Sequence, residues 1–142
     1  MTKLIGNTPM IKIEYEYKGL KKCIFAKLEY YNLTGSIKDR MANFILKSAK
    51  EDGSLVDGQT IVEVTSGNTG IAFAALGARY GHPVHIFMPA WASEERVKLM
   101  KAYGANVHLI TREEGGFNEC LRRADKFAKE HNAFRPNQFE NS

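Results

Sequence analysis

The chain has 142 residues, of which 44% are hydrophobic and 25% charged, with a formal net charge of +4. That length supports one domain with a real core, and the composition is that of an ordinary soluble globular protein. The charge is dispersed, "LKK" (20–22) and "LRR" (121–123) being isolated pairs and no nucleic-acid-binding arm. No apolar run is long enough to span a membrane, and "MTKLIGNTPM" carries no signal-peptide core. The expected location is the cytoplasm, with neither nucleic acid nor membrane as a partner.

In chain order, "NTPMIKIEY" gives a turn and then an alternation that predicts a short edge strand, and "KKCIFAKLEY" predicts a second strand. "SIKDRMANFILKSAKEDG" predicts a helix. Ile37, Met41, Phe44, Ile45 and Ser48 share one face of it, and Gly53 follows its end. Three strand–helix pairs come next. "TIVEVT" (60–65) leads to a helix over 68–81, "PVHIFMP" (83–89) to one over 93–104, and "NVHLIT" (106–111) to one over 116–132. The last helix has an apolar stripe of Phe117, Cys120, Leu121, Ala124, Phe127 and Ala128, and Gly81 and Gly104 are natural helix ends. Short apolar strands alternating with helices across short loops predict an α/β fold, an open parallel sheet with helices on both faces. "FRPNQFENS" starts like a further strand with no helix to cover it, so the sequence is expected to be part of a larger architecture.

The cysteines, Cys23 and Cys120, belong to no CxxC or Cys/His cluster, which argues against zinc. Both lie in apolar patterns and are expected to be buried free thiols. His82, His85, His108 and His131 have no metal-ligand spacing and are read as structural.

Two loops carry chemistry. In an open parallel sheet, ligands sit beyond the C-terminal strand ends. "TSGNTG" (65–70) follows a strand there and opens a helix, whose first N–H groups and dipole favour an anion. Thr65, Ser66 and Thr69 add hydroxyls, Asn68 an amide, and Gly67 close backbone approach. A carboxylate or a phosphate suits this loop. It is neither a G-x-G-x-x-G dinucleotide loop nor a Walker A loop. The second is "NLTGSIKDR" (32–40), where Ser36 and Asp39 have the spacing of a capping box. Lys38 stands in the first helical turn, where the dipole opposes a cation by roughly 0.3–1 kcal/mol. That environment favours the neutral amine that Schiff-base lysines need.

"IGNTPM" (5–10), "KLEYYNLTGSIKDR" (27–40), "TSGNTG" (65–70) and "NQF" (137–139) together resemble the cysteine synthase group of fold-type II pyridoxal-phosphate enzymes, from end to end of the chain and in the same order. The resemblance implies a tryptophan-synthase-β-like fold with an incomplete second domain. Residues 1–42 would belong to the larger cofactor domain, with 134–142 returning to it, and 43–133 would form the smaller βαβ substrate-loop domain. Lys38 would hold pyridoxal 5'-phosphate as a Schiff base and take the substrate's α-proton, and Asn68 would hydrogen-bond the cofactor's phenolic oxygen. Thr65, Ser66, Gly67, Asn68, Thr69 and Gln138 would bind the substrate. The implied reaction is β-replacement on O-acetylserine by sulfide, giving L-cysteine. A homodimer and docking of the C-terminal tail of serine acetyltransferase are the implied partnerships, beside a small amino-acid substrate.

This sequence departs from the family pattern in three places. Leu33 stands where members usually have proline, and Trp91 and Ala92 replace residues of an acidic-Thr-Met-Ser run. The family's glycine-rich phosphate loop and the serine facing the pyridine nitrogen have no counterpart in these residues, so the isolated chain is expected to bind the cofactor weakly or not at all and to lack useful turnover. Among relatives, Ile37 before the lysine and Thr69 after Asn68 speak against threonine dehydratases. Cystathionine β-synthase, with homocysteine as second substrate, stays open. So does a non-catalytic module that binds a carboxylate-ended peptide.

Overall fold

The computed structural model describes residues 4–137, so Gln138 lies outside the described residues. The first element is an antiparallel hairpin. β1 (Met10–Tyr17) pairs with β2 (Leu20–Lys27), with Met10 opposite Lys27 and Tyr17 opposite Leu20. Lys18 and Gly19 both take positive φ (52° and 74°), the backbone of a two-residue turn whose twist matches the strands. Among the described residues the ladder has two strands only, and almost every side chain on it is exposed. Cys23 is therefore exposed, contrary to the burial expected from its apolar neighbours, whereas Cys120 is buried as expected.

A 3-10 turn (Glu29–Tyr31) leads to α1 (Lys38–Glu51). The helix forms where predicted but presents a different face. It buries Asp39, Ala42, Ile45, Leu46 and Ala49, so that of the predicted shared face Ile45 is buried whereas Ile37 and Phe44 are 57% and 71% exposed. The reason is the neighbour. α1 packs on α2 (Asn68–Tyr80), an Ala- and Gly-rich helix, and the small residues Ala42 and Ala49 flank Leu46 in the contact while bulky ones are turned out. Tyr80 Oη donates to Asn43 Oδ1 (2.9 Å) across the same contact.

The other helices lie where predicted to within two residues. β3 (Ile61–Val64), β4 (Val84–Pro89) and β5 (Asn106–Ile110) form a parallel sheet in the order β3-β4-β5, with Ile61 opposite Val84 and His85 opposite Asn106. Beyond β3, Phe134 bridges Ile61 in parallel. Its N–H donates to Thr60 O (2.8 Å) and its carbonyl accepts from Val62 N (2.9 Å). Alternation along the strands splits the core. Ile61, Ile86 and Met88 pack with α1, α2 and α3 (Glu94–Ala102), whereas Val62, Val64, Phe87 and Ile110 pack with Cys120 and Ala124 of α4 (Gly116–His131). Helices thus cover both faces, as expected for a parallel sheet. α2 lies between α1 and the sheet and buries every residue from Thr69 to Gly77, which is why its sequence is apolar nearly all round.

α1 runs across positions 42 and 43, and one core cluster joins its side chains to α2, α3 and the sheet. No helix among the described residues is long and apolar enough to cross a membrane.

Candidate active site

The β3–α2 loop lies at the C-terminal end of the sheet. Thr65 N donates to Phe87 O (3.2 Å), Thr65 Oγ1 accepts from Gly67 N (3.1 Å), and Gly70 N donates to Gly67 O (3.0 Å). These bonds coil the backbone tightly ahead of α2. Thr65 and Thr69 are buried, and Ser66 and Asn68 are exposed. Lys38, 27 residues before Thr65, is exposed at the start of α1. Lys38 and all five loop residues Thr65–Thr69 line one open cleft of ≈ 420 Å³, which Val64, Arg96 and Phe117 complete. The structure thus brings together every predicted site residue that it describes.

Arg96 was not singled out by the sequence, and Phe117 was expected only as part of the apolar stripe of α4, whereas it is 40% exposed and lines the cleft. Arg96 Nη1 donates to the Ser66 carbonyl (3.2 Å), adding a cation beside the helix start. Phe117 comes from the first turn of α4, where Gly115 and Gly116 take φ of +115° and +60°. Both follow a strand's C-terminal end by a few residues, which was the signal available to find them.

The predicted capping box at Lys38 does not form. Asp39, fully buried, turns back to the preceding loop, where its carboxylate accepts from Thr34 N (2.6 Å) and from the Thr34 hydroxyl. Ser36 Oγ accepts from Lys38 N (3.2 Å) instead. Asp39 satisfies two donors in the loop at once, whereas a cap at Ser36 would satisfy one and leave a buried charge poorly paired. Leu33, in the position where proline is usual, packs against the main core.

A second network fixes the same loop from the other side. Arg40 grips Glu29 with two hydrogen bonds, Nε to Oε2 (2.8 Å) and Nη2 to Oε1 (3.0 Å). The Thr8 hydroxyl donates to Glu29 Oε1 (2.7 Å) and accepts from Arg40 Nη2 (3.1 Å). Asn32 Nδ2 donates to Glu29 Oε2 (2.7 Å), and Asn32 Oδ1 accepts from Gly6 N (2.8 Å). The Arg40 guanidinium, with the Thr8 hydroxyl behind it, holds the Glu29 carboxyl down at about 2. In the sequence Thr8, Glu29 and Asn32 stand inside motifs whose pattern gives them no physical role. The network supplies one, tying the N-terminal segment, the 3-10 turn and the start of α1 together around the lysine.

The four histidines lie away from the cleft. His85 and His108 sit on neighbouring strands with ring nitrogens 3.0 Å apart against Phe127, and burial pushes both below the usual histidine value. His131 packs on Phe127, and His82 is buried with Nδ1 2.9 Å from Gln59 O.

An exposed primary amine facing a hydroxyl-lined helix start, at the strand ends of a parallel sheet, defines an α/β protein suited to a carbonyl cofactor and a carboxylate ligand together. All 142 residues match the family described as pyridoxal-phosphate dependent enzymes. The chain is 40% identical over 141 residues to a cysteine synthase of Staphylococcus aureus, covering 99% of this chain and 45% of that protein. Among solved structures, a hydrogen sulfide-producing enzyme from Fusobacterium nucleatum is similar at TM-score 0.94 and 51% identity, over 98% of this chain and 42% of that one. A cysteine synthase from Entamoeba histolytica gives 0.88 and 40%, over 96% and 42%. The chain belongs to the pyridoxal-phosphate-dependent enzyme family and has the fold-type II architecture of the cysteine synthases. It spans less than half the length of the curated relatives it matches.

Proposed function

We propose that this chain supplies the lysine and the carboxylate loop of a β-replacement enzyme that makes L-cysteine from O-acetylserine and sulfide. The supporting observation is the shared cleft of Lys38 and the 65–69 loop. The side chains there fit pyridoxal phosphate in kind, with an amine for its aldehyde and the Asn68 amide for its phenolic oxygen. When bound, the cofactor supplies an electron sink for negative charge developing at the substrate's Cα. The rest falls to the chain. Lys38 Nζ holds the cofactor and, once released, takes the Cα proton. Thr65, Ser66 and Thr69, with the N–H groups at the start of α2, orient the substrate carboxylate, helped by Gln138. Arg96 steadies the Ser66 carbonyl. Acetate leaves Cβ, hydrosulfide adds there in its place, and Lys38 returns the proton to Cα. A homodimer and a serine acetyltransferase tail in the same loop fit this reading.

Because these residues lack the family's phosphate loop, the test supplies the chain at high concentration with excess pyridoxal phosphate, O-acetylserine and sulfide and follows even slow cysteine formation, with Lys38→Ala alongside. Turnover that needs Lys38 supports the reading, and turnover surviving in K38A sinks it. The 51% identity to a sulfide-producing enzyme favours one second reading, in which the same site releases sulfide from cysteine. Sulfide release from L-cysteine without synthesis from O-acetylserine would select it. Homocysteine in place of sulfide separates the cystathionine β-synthase type.

A further inference from the structure

Besides Val64 and the Arg96 cation, the cleft lining offers three chemistries. The 65–69 loop offers an anion site, Lys38 an amine, and Phe117 an aromatic ring that is 40% exposed. An α-amino acid carries matching groups around Cα, a carboxylate, a nitrogen and a side chain. With the carboxylate at the loop and the nitrogen toward Lys38, the side chain faces the third of these, the aromatic ring. We infer that Phe117 limits the size of the group the substrate carries or accepts at Cβ, and that Trp91 holds Phe117 in place. This inference rests on the β-replacement reading of the cleft.

Trp91 is the chain's only tryptophan and comes from the loop between β4 and α3. It is half exposed, so it is not a core support. Its ring contacts the segment that delivers Phe117. The Arg112 guanidinium lies 4.9 Å from its centroid. A Cβ at Gly116 would lie 3.1 Å from Trp91 Cη2. The ring occupies space that glycine leaves open, and the positive φ of Gly115 and Gly116 turns the chain sharply into α4 at that contact. Phe117 is the next residue. Trp91 therefore acts as a positioning residue for Phe117, bridging the β4–α3 loop and the start of α4.

The test is calorimetric binding of S-methyl-L-cysteine and S-benzyl-L-cysteine to the full 142-residue chain supplied with pyridoxal phosphate. We expect the benzyl compound to bind at least about tenfold more weakly than the methyl compound, and Phe117→Ala to bring the two within about threefold. Trp91→Ala should narrow the gap in the same direction but less, and Trp91→Phe, which keeps a ring, should restore it. The two Trp91 variants carry the test should F117A fail to fold. The inference is overturned if the wild type binds both within about threefold, if neither ligand binds, or if the gap survives unchanged in F117A or, where that variant does not fold, in W91A. Unselective binding would remove the size limit and leave the carboxylate-loop reading intact. Size-dependent binding together with cysteine formation that survives in K38A would keep the size limit and remove the proposed role of Lys38 in the reaction.

Discussion

On one side of the cleft, Lys38 stands on a helix start whose neighbours are tied by side chains. Asp39 holds Thr34, and Arg40 holds Glu29, Thr8 and, through Glu29, Asn32. On the other side, the 65–69 loop is shaped by short backbone bonds and by Thr65 Oγ1, with Ser66 and Asn68 left exposed. The two jobs proposed for them differ. A lysine that carries a cofactor must be indexed in position, and polar clamps with defined geometry do that. A loop that captures an anion must present N–H groups, so its shape comes from the packing beneath it. That packing seats the whole of α2: a Cβ at Gly70, at the loop, would lie 2.7 Å from Thr65 Cγ2, and one at Gly77, near the other end of the helix, only 2.2 Å from Val84 Cγ2.

The largest effect should come from that close packing. Gly77→Ala places a methyl group against the buried Val84 side chain and 3.2 Å from the His82 carbonyl, so α2 must lift from β4. We expect a loss of about 3 kcal/mol in urea-induced unfolding. A loss below about 1 kcal/mol would show that the seat of α2 on β4 yields, and close packing would then not be what shapes this side.

The lysine side should break more gently, through Asp39. Asp39→Ala removes a fully buried carboxylate and leaves the Thr34 N–H and hydroxyl without their acceptor. A loss of about 2 kcal/mol is expected. Combined with Thr34→Ala it should fall short of the sum of the single losses, because both remove one interaction. Additive losses would mean that Asp39 and Thr34 act independently and that the clamp is not a unit.

What could be read in the sequence follows the same division. The strand–helix alternation and its caps were legible because each strand is short and apolar, and glycines such as Gly81, a left-handed helix end at φ +78°, punctuate it. Lys38 and the 65–69 loop were legible because each has a local chemical oddity, a cation at a helix start and a hydroxyl-rich βα turn. The face of α1 was not. Ala42 and Ala49 carry little hydrophobic signal, and Phe44 and Ile37 carry much, yet contact with a small-residue helix selects the former. The capping box was misread because the Ser36–Asp39 spacing cannot show that Thr34 reaches Asp39 first. Arg96 and Phe117 were missed because their place in the cleft depends on how α3 and α4 sit at the sheet end, a relation between elements distant in sequence.

The smallest effect should come from Glu29, and it sharpens the comparison by pH. The pair with Arg40 is partly in water, so its contribution is modest. Its sign is definite. Glu29 is held at about 2 in the folded chain against an ordinary 4.5, and Arg40 stays charged throughout. Below the ordinary value the unfolded chain takes up a proton that the folded chain still refuses. The stabilisation is therefore complete above that value and is lost as pH falls from 4.5 toward about 2. Acid unfolding of the wild type alone cannot isolate it, because Arg122 and Arg123 hold Glu119 at about 2 in the same way on α4. The difference between wild type and Glu29→Gln can, since Glu119 is common to both. That difference, measured by urea unfolding across pH, should be constant near neutrality and shrink through the acid window. A difference that does not change with pH would mean that Glu29 acts as a neutral hydrogen-bond acceptor, and the ionic clamp beside Lys38 would have to be abandoned.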